Sequence, residues 1–597
     1  MKISRARASG LALTTLLLAG VAVPAVGQQD KPESLLPPGF DQPVPAQAPT
    51  PAPSRPAEPV APPPIAAVPL PDDLALGNAT ELGNGQEAAP EPIDLSQYEL
   101  PDYAKHSLAR VGAFAAGNAA FPANAFGATD GRVLKTLLRR LDAPIASRWA
   151  SIVLRRALMS PLDTPSHIDG ADFAAERAWV LLRMGEAVAA RAVVNDVDTD
   201  NYTTLLYQVA MQAGLATGDP AAFCPIADDA ASIIHQRGWA LAQAMCMGLR
   251  GKPSEAGQLL NAARQGTSSS DIDNLLAEKV LGAGAEGRRA VTIEWAGITR
   301  LTAWRWGLAT ATGVDVPAEL YATAGPQVRY WQALSPSIAP AARAQAAELA
   351  ATSGVFSNAG LVDLYGDIDA DSDANGPEAG IARDLRTAYT DGDAADRVKA
   401  IQALWDQAQT PRTHYARLIL TARAASWIPA SDKIATPERL IASMLSAGYD
   451  GAAMEWRGAV KPGSEGWALL ALADSSTSPV SYGVFDSYRG AASPRKAQML
   501  LAGLAGLGRL NASDAERGAQ AVDVRIGGAN AWTRAIDAAG RKGEPGAVAL
   551  LAAVGMQAPN WDYVTPEALF HIVAAMRAAG MDNYARMIAV EAVTRTV

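Results

Sequence analysis

The sequence predicts an all-α protein: an α-solenoid of antiparallel helix pairs following a disordered, proline-rich N-terminal segment. Three observations lead there. Ala and Leu dominate and aromatics make up only 6% of the 597 residues, a composition that favours helix over sheet. From about Leu100 onward, apolar residues recur with a 3.6 period between short breaks of Gly, Asp, Pro or Ser. The breaks are themselves periodic, with Gly185, Gly218, Gly251 and Gly284 each 33 residues apart. Two helices in a unit of that length are the mark of a helical repeat array.

The N-terminus reads as an export signal over residues 1–27. Lys2, Arg5 and Arg7 form a basic start, Leu11 to Val23 an apolar run of thirteen residues, and Ala25-Val26-Gly27 a small-x-small cleavage site. A membrane span needs roughly 17–25 apolar residues, so cleavage is expected rather than retention as an anchor. No later segment is apolar for long enough to cross a bilayer. Residues 28–95 form a Pro/Ala-rich linker, with fifteen prolines between Lys31 and Pro71. Proline fixes φ and removes an amide donor, so neither helix nor sheet propagates there, and an extended or disordered tether is expected.

The remainder divides into an N-terminal helical-repeat region (96–366), an acidic loop (367–380) and a C-terminal helical-repeat region (381–597). Expected helices include Val133–Leu141, Ile145–Met159, Ala171–Met184, Ala187–Val194, a helix capped at Asp200 or Asn201 and running through Ala213, Trp239–Leu249 and Ser254–Arg264. Each turn Gly should end one helix in the left-handed conformation, with Asp or Pro starting the next. Gly508, Gly543 and Gly580 continue the pattern at intervals of 35 and 37. The best strand candidates are Val291–Trp295 and Val480–Phe485.

Small residues recur after the turn glycines: Ala190, Ala256, Ala453 and Ala585 five positions on, Ala230, Ala263 and Ala592 twelve on. With the segment Ala578-Ala579-Gly580-Met581-Asp582-Asn583-Tyr584-Ala585-Arg586, and its echo Ala447-Gly448-Tyr449-Asp450, this resembles the tetratricopeptide-like repeats. The large aromatic and the Leu-Gly pair of that family's first helix are inconsistent here, and its trailing Pro is absent. The resemblance implies a superhelix of helix pairs and names no ligand.

Two cysteines are present, Cys224 and Cys246. In an oxidising compartment so close a pair suggests a disulfide. Asp369, Asp371, Asp373 and Asn375 alternate before Gly376, like the first half of a calcium loop. The second half fails, because Glu378 stands where an apolar residue belongs and Ala382 where a bidentate Glu should be. A solvated acidic loop is the competing reading, and no other cofactor is expected. Trp304, Trp306, Tyr330 and Trp331 either pack between helices or form a surface that stacks sugars or anchors peptides. Ser493-Pro494-Arg495-Lys496 matches S-x-x-K without the companion motifs of penicillin-binding enzymes, so Ser493 reads as a helix cap. The five histidines have no metal-like spacing, and no Walker, zincin, hydrolase or dinucleotide motif occurs.

The formal charge of −10 and the lack of a basic block beyond the first residues disfavour nucleic acid. The expected function is therefore a non-catalytic, exported scaffold, periplasmic or secreted, that binds an envelope protein or peptide. The rival readings are a peptidoglycan-associated protein resembling the superhelical part of lytic transglycosylases, and a structural spacer of the envelope.

Overall fold

Helices in this chain begin at a short polar side chain and commonly end at a left-handed glycine. Asp130, Ser147, Asp169, Thr203, Ser357 and Asp393 each accept a hydrogen bond from a first-turn amide of the helix that follows. Such caps satisfy amides that have no partner within the helix. The periodic glycines Gly185, Gly218 and Gly251 have φ of 87°, 64° and 77°, and Gly508, Gly543 and Gly580 have 68°, 70° and 77°. Gly185 also lacks room for a side chain. A Cβ there would stand 2.5 Å from the Tyr330 ring, so that turn excludes side chains on space as well as on φ.

The computed structural model describes residues 101–596, apart from 102, 115–119, 143, 267, 269, 285–290, 372 and 477. The expected signal segment 1–27 and the linker 28–95 lie outside the described residues. The first group of helices comprises α1 (Gly131–Arg140), α2 (Arg148–Met159), α3 (Gly170–Arg183), α4 (Ala187–Asn195), α5 (Thr204–Ala216), α6 (Ala227–Ile233), α7 (Arg237–Leu249), α8 (Pro253–Ala263), α9 (Ile272–Gly284) and α10 (Ala303–Ala311). Then come α11 (Pro326–Leu334), α12 (Pro340–Thr352), α13 (Asn358–Ala370), α14 (Pro377–Thr390), α15 (Ala394–Asp406), α16 (Pro411–Ala425), α17 (Pro437–Ser446) and α18 (Asp450–Met454). The last group is α19 (Glu465–Ala473), α20 (Tyr482–Ala491), α21 (Pro494–Gly506), α22 (Ala512–Ala521), α23 (Ala531–Lys542), α24 (Pro545–Gly555), α25 (Pro566–Ala578) and α26 (Asp582–Arg595).

The fold is an all-α solenoid of helix pairs. Sequential neighbours pack together, as in α3 with α4, α7 with α8, α14 with α15, α16 with α17 and α25 with α26. A disulfide joins Cys224, on a 3-10 turn spanning Pro220–Ile226, to Cys246 on α7. Contacts also return to the beginning of the array, because α26 packs on α17, α19 and α21 and also on α2, which in turn meets α24. Among the described residues, no helix is long and apolar enough to cross a membrane.

Arginines from neighbouring helices also finish helix ends. Arg177 is fully buried and donates to the carbonyls of Leu158 (3.2 Å), Ser160 (3.0 Å) and Val111 (2.7 Å), closing α2. Burial pushes its guanidinium down to about 10. Arg183 holds Leu138 O at 2.6 Å at the end of α1, Arg577 holds Leu507 O at 2.5 Å after α21, and Arg586 on α26 donates to Ala473 O at the end of α19. A cation at a helix C-terminus satisfies orphan carbonyls and complements the macrodipole. Each of these caps comes from a different helix, so the caps are also tertiary ties.

Several expectations are corrected. Neither Val291–Trp295 nor Val480–Phe485 is a strand: the first is irregular, and the second runs into α20, which Ser481 precedes as N-cap residue. The strands among the described residues are the two-residue pair β1 (Arg110–Val111) and β2 (Leu162–Asp163), which run antiparallel. Asp200 and Asn201 sit in a 3-10 turn, and Thr203 caps α5 instead. Gly284 is the last residue of α9. The acidic segment is shorter than expected, since α13 runs to Ala370 and α14 starts at Pro377, and the two helices pack together across the turn.

Candidate functional site

Helix ends of both polarities meet around an open concavity of about 940 Å³. Three are N-termini. Thr410-Pro411 starts α16 with a reciprocal capping box between Thr410 and Thr413, Ser464 caps α19, and Ser493-Pro494 starts α21. Proline at the first helical position loses no hydrogen bond and presets φ. C-termini also reach the wall: Ala491 and Ala492 of α20, and Thr594, Arg595 and Thr596 of α26. The three N-termini contribute positive backbone dipoles, which the C-termini on the same wall oppose.

Closure of the array holds the α26 wall in place. Glu591 of α26 is buried and accepts from Ser147 Oγ (2.6 Å), Arg148 N (2.9 Å) and Trp149 N (3.3 Å), so it caps α2 from the far end of the chain. Arg595 pairs with Glu591 at 2.7 Å, donates to Ala146 O at 2.8 Å, and lies over the Tyr415 ring. Arg148, buried beside them, donates to Ala351 O and to Phe356 O (3.2 Å), which ties α2 to the end of α12. Burial pushes the Tyr415 phenol far above its ordinary range, so it stays neutral.

The cleft cations differ in how they are balanced. Lys496 pairs with Glu465 at 2.6 Å. Its amide bonds Ser493 Oγ at 3.3 Å, so the S-x-x-K segment is a helix start whose lysine is committed elsewhere, and it forms no Ser–Lys dyad. His414 is half-buried, and desolvation holds its imidazole below the ordinary value, so it adds no charge at neutral pH. Arg412 differs from all of these. Its Nε donates to Thr352 Oγ1 (2.9 Å) and its Nη2 to Tyr330 OH (2.6 Å), Ser353 Oγ (3.2 Å) and Leu349 O (3.4 Å). Among the described residues no carboxylate pairs with it.

The residues singled out in the sequence are dispersed. Trp304, Trp306, Tyr330 and Trp331 are 0%, 0%, 4% and 1% exposed, which corrects the idea of an aromatic binding surface. They pack between helices: Trp306 and Trp331 have ring centroids 5.7 Å apart, and Trp304 donates to Asp273 O at 3.2 Å. Of the four, Tyr330 reaches the site only through its hydroxyl on Arg412. Asp369 lies on α13, where it pairs with Arg386 at 2.9 Å, and Asp371 accepts from Asp373 N. Asn375 donates to Asp373 O at 3.3 Å. These carboxylates do not converge, and no group of three or more metal-type side chains occurs among the described residues. The Ser/Thr-Pro-Arg helix starts at Thr410 and Ser493 were the available signal for the cleft, although a helix-start motif alone does not say that two such starts face each other.

No known family, curated protein or solved structure matches the chain.

Proposed function

We propose that the chain is an exported, non-catalytic helical-repeat protein of the tetratricopeptide-like kind, and that it serves as a scaffold in the cell envelope by binding a protein or peptide partner in the α16–α21–α26 cleft. One observation carries this reading: a large concavity walled by helix ends has on its wall a positioned arginine with no carboxylate of its own. Concave sites with a few fixed polar groups are where ligands bind, and stacked helices supply a rigid support for them. The basic start, apolar run and cleavage site of residues 1–27 support export, and the disulfide is compatible with an oxidising compartment. Trp304, Trp306 and Trp331, the residues that glycan stacking was expected to use, are buried.

Photo-crosslinking in the native cell tests both halves. A crosslinking residue at Ala491, on the cleft wall, should give a discrete protein or peptide adduct in the envelope fraction. The same residue at the exposed Lys433, outside the cleft, should give none. An unprocessed chain confined to the cytoplasm overturns export, and equal adducts from both positions, or none from Ala491, overturn cleft binding.

A further inference from the structure

The chain has thirteen tryptophans, and twelve of them are buried or half-buried. Trp427 is 49% exposed. Single exposed apolar side chains are ordinary, but this one is fixed in place. Its amide donates to Ala424 O at 3.1 Å just after α16, and the next residue, Ile428, is buried. The Tyr389 ring of α14 stands perpendicular to the indole with centroids 5.3 Å apart, and the Arg423 guanidinium lies 5.5 Å over it. Among the described residues, the side chains of Trp427 and Arg423 have no hydrogen-bond or carboxylate partner. Trp, Tyr and Arg are the residues in which interface energy concentrates. The patch therefore offers an ordered ring and N–H donors without acceptors.

A chain rich in acceptors and poor in donors complements it. Each proline lacks an amide donor yet keeps its carbonyl, and polyproline-II backbone makes no internal hydrogen bonds. Such segments dock on aromatic surfaces. Residues 49–71, which lie outside the described residues, hold ten prolines, and their charged side chains are Arg55 and Glu58 alone. We propose that residues 49–71 dock on the Trp427–Tyr389–Arg423 patch of the same molecule as a polyproline-II ligand, laying the N-terminal tether against the repeat array. Size decides between this occupant and a separate protein. Three side chains fall far short of the roughly 1,000 Å² that a stable interface between free partners needs. A ligand on the same chain has an effective concentration of about millimolar order, so a weak contact is enough. Pro71 and Pro101 are 30 positions apart. That spacer reaches about 100 Å when extended, against roughly 60 Å across for a compact unit of about 500 residues. None of the three patch residues lines the cleft, so the two surfaces can be tested apart.

A benzophenone amino acid at Ala61, in the full chain that begins at Gln28, tests the docking. After irradiation, peptide mapping should place the main crosslink within residues 423–432. In an equal mixture of isotopically light and heavy protein, each joined pair of peptides should carry one label and not both. Trp427→Ala should lower the yield at this site about tenfold, the scale expected for truncating a ring that anchors an interface. Arg423→Gln should lower it less, and Tyr103→Ala, which removes a ring 92% exposed elsewhere, should leave it unchanged. Circular dichroism confirms that the variants fold. Replacing Pro62, Pro63 and Pro64 by Ala should give the same loss as Trp427→Ala without touching the helical body. Absence of a crosslink at residues 423–432, crosslinks spread evenly over the surface, or a yield that survives both sets of substitutions overturns the docking. Mixed-label pairs place the stretch on a second copy and overturn its assignment to the same molecule.

Discussion

Glu591 and Ser147 lie 444 positions apart in sequence and 2.6 Å apart in space. The hydroxyl that caps α2 from within, by accepting from Ala150 N, itself donates to a carboxylate on α26. That carboxylate takes the next two amides of the same helix start and the guanidinium of Arg595 as well. Removing it strands several buried donors together. Glu591→Ala should therefore cost about 3 kcal/mol, at the lower end for breaking a buried pair because Arg595 keeps some solvent. Urea unfolding followed by the fluorescence of the buried tryptophans measures it. A loss below about 1 kcal/mol would mean that packing of α2 on α24 holds the closure without the carboxylate.

The disulfide makes a separate prediction. Cys224 and Cys246 are 22 positions apart in sequence. In the chain-entropy account such a crosslink contributes about 3 kcal/mol through the unfolded state. The double variant Cys224→Ala/Cys246→Ala should unfold at correspondingly lower denaturant, with little change in helical content. An unchanged midpoint would show that α7 is held by packing alone.

Stability should also respond to pH through one buried carboxyl. Desolvation pushes Glu186 up to about 7, against the opposing pull of Arg155, whose Nη1 lies 2.6 Å away. The unfolded chain titrates this group near 4.5. Between those values the native state binds more protons, so stability falls as pH rises from 4.5 to 7 and then levels off. Glu186→Gln should flatten that part of the profile, read as midpoint against pH in thermal melts. A profile that stays parallel to that of the parent protein would remove Glu186 as its source.

Helix crossings depend on a missing methyl at Gly307. A Cβ there would stand 2.5 Å from Leu215 O and 2.9 Å from its Cα, where α10 crosses α5. Backbone cannot yield as a side chain does, so Gly307→Ala should destabilise by about 1–3 kcal/mol. It does so despite the better helix propensity of alanine. Denaturation at neutral pH gives the value, and a neutral or stabilising result would show that the crossing is loose.

Much of the architecture was legible in the residues. The 33-residue spacing of Gly185, Gly218 and Gly251 marked true left-handed turns, and the expected helices from Ala187 and to Leu249 have matching ends. These features are local, because φ > 0 and a 3.6 period are properties of short stretches. The cleft was not legible. Arg412, Lys496 and Arg595 are far apart in the chain, and their different standing depends on which carboxylates meet which cations after folding. Trp306 and Trp331 show the same limit, since helical spacing places an aromatic on a face without telling which faces meet. For Asp369 the alternating pattern misled because α13 continues through it, and a helix turns alternate residues away from one another.

The cap on α2 has a consequence for how the molecule is made. Chains are synthesised from the N-terminus, and N-terminal portions ordinarily fold first. Here α2 emerges early, yet the carboxylate that completes its first turn belongs to α26. Until that helix arrives, the Ser147 hydroxyl and the amides of Arg148 and Trp149 lack the carboxylate that they share in the folded chain, and the early helices present an unfinished edge. The chain is thus most exposed to proteases and chaperones during the interval before its final helix docks. A truncation that removes only α26 should leave a protein that accumulates poorly, although every earlier helix is still encoded.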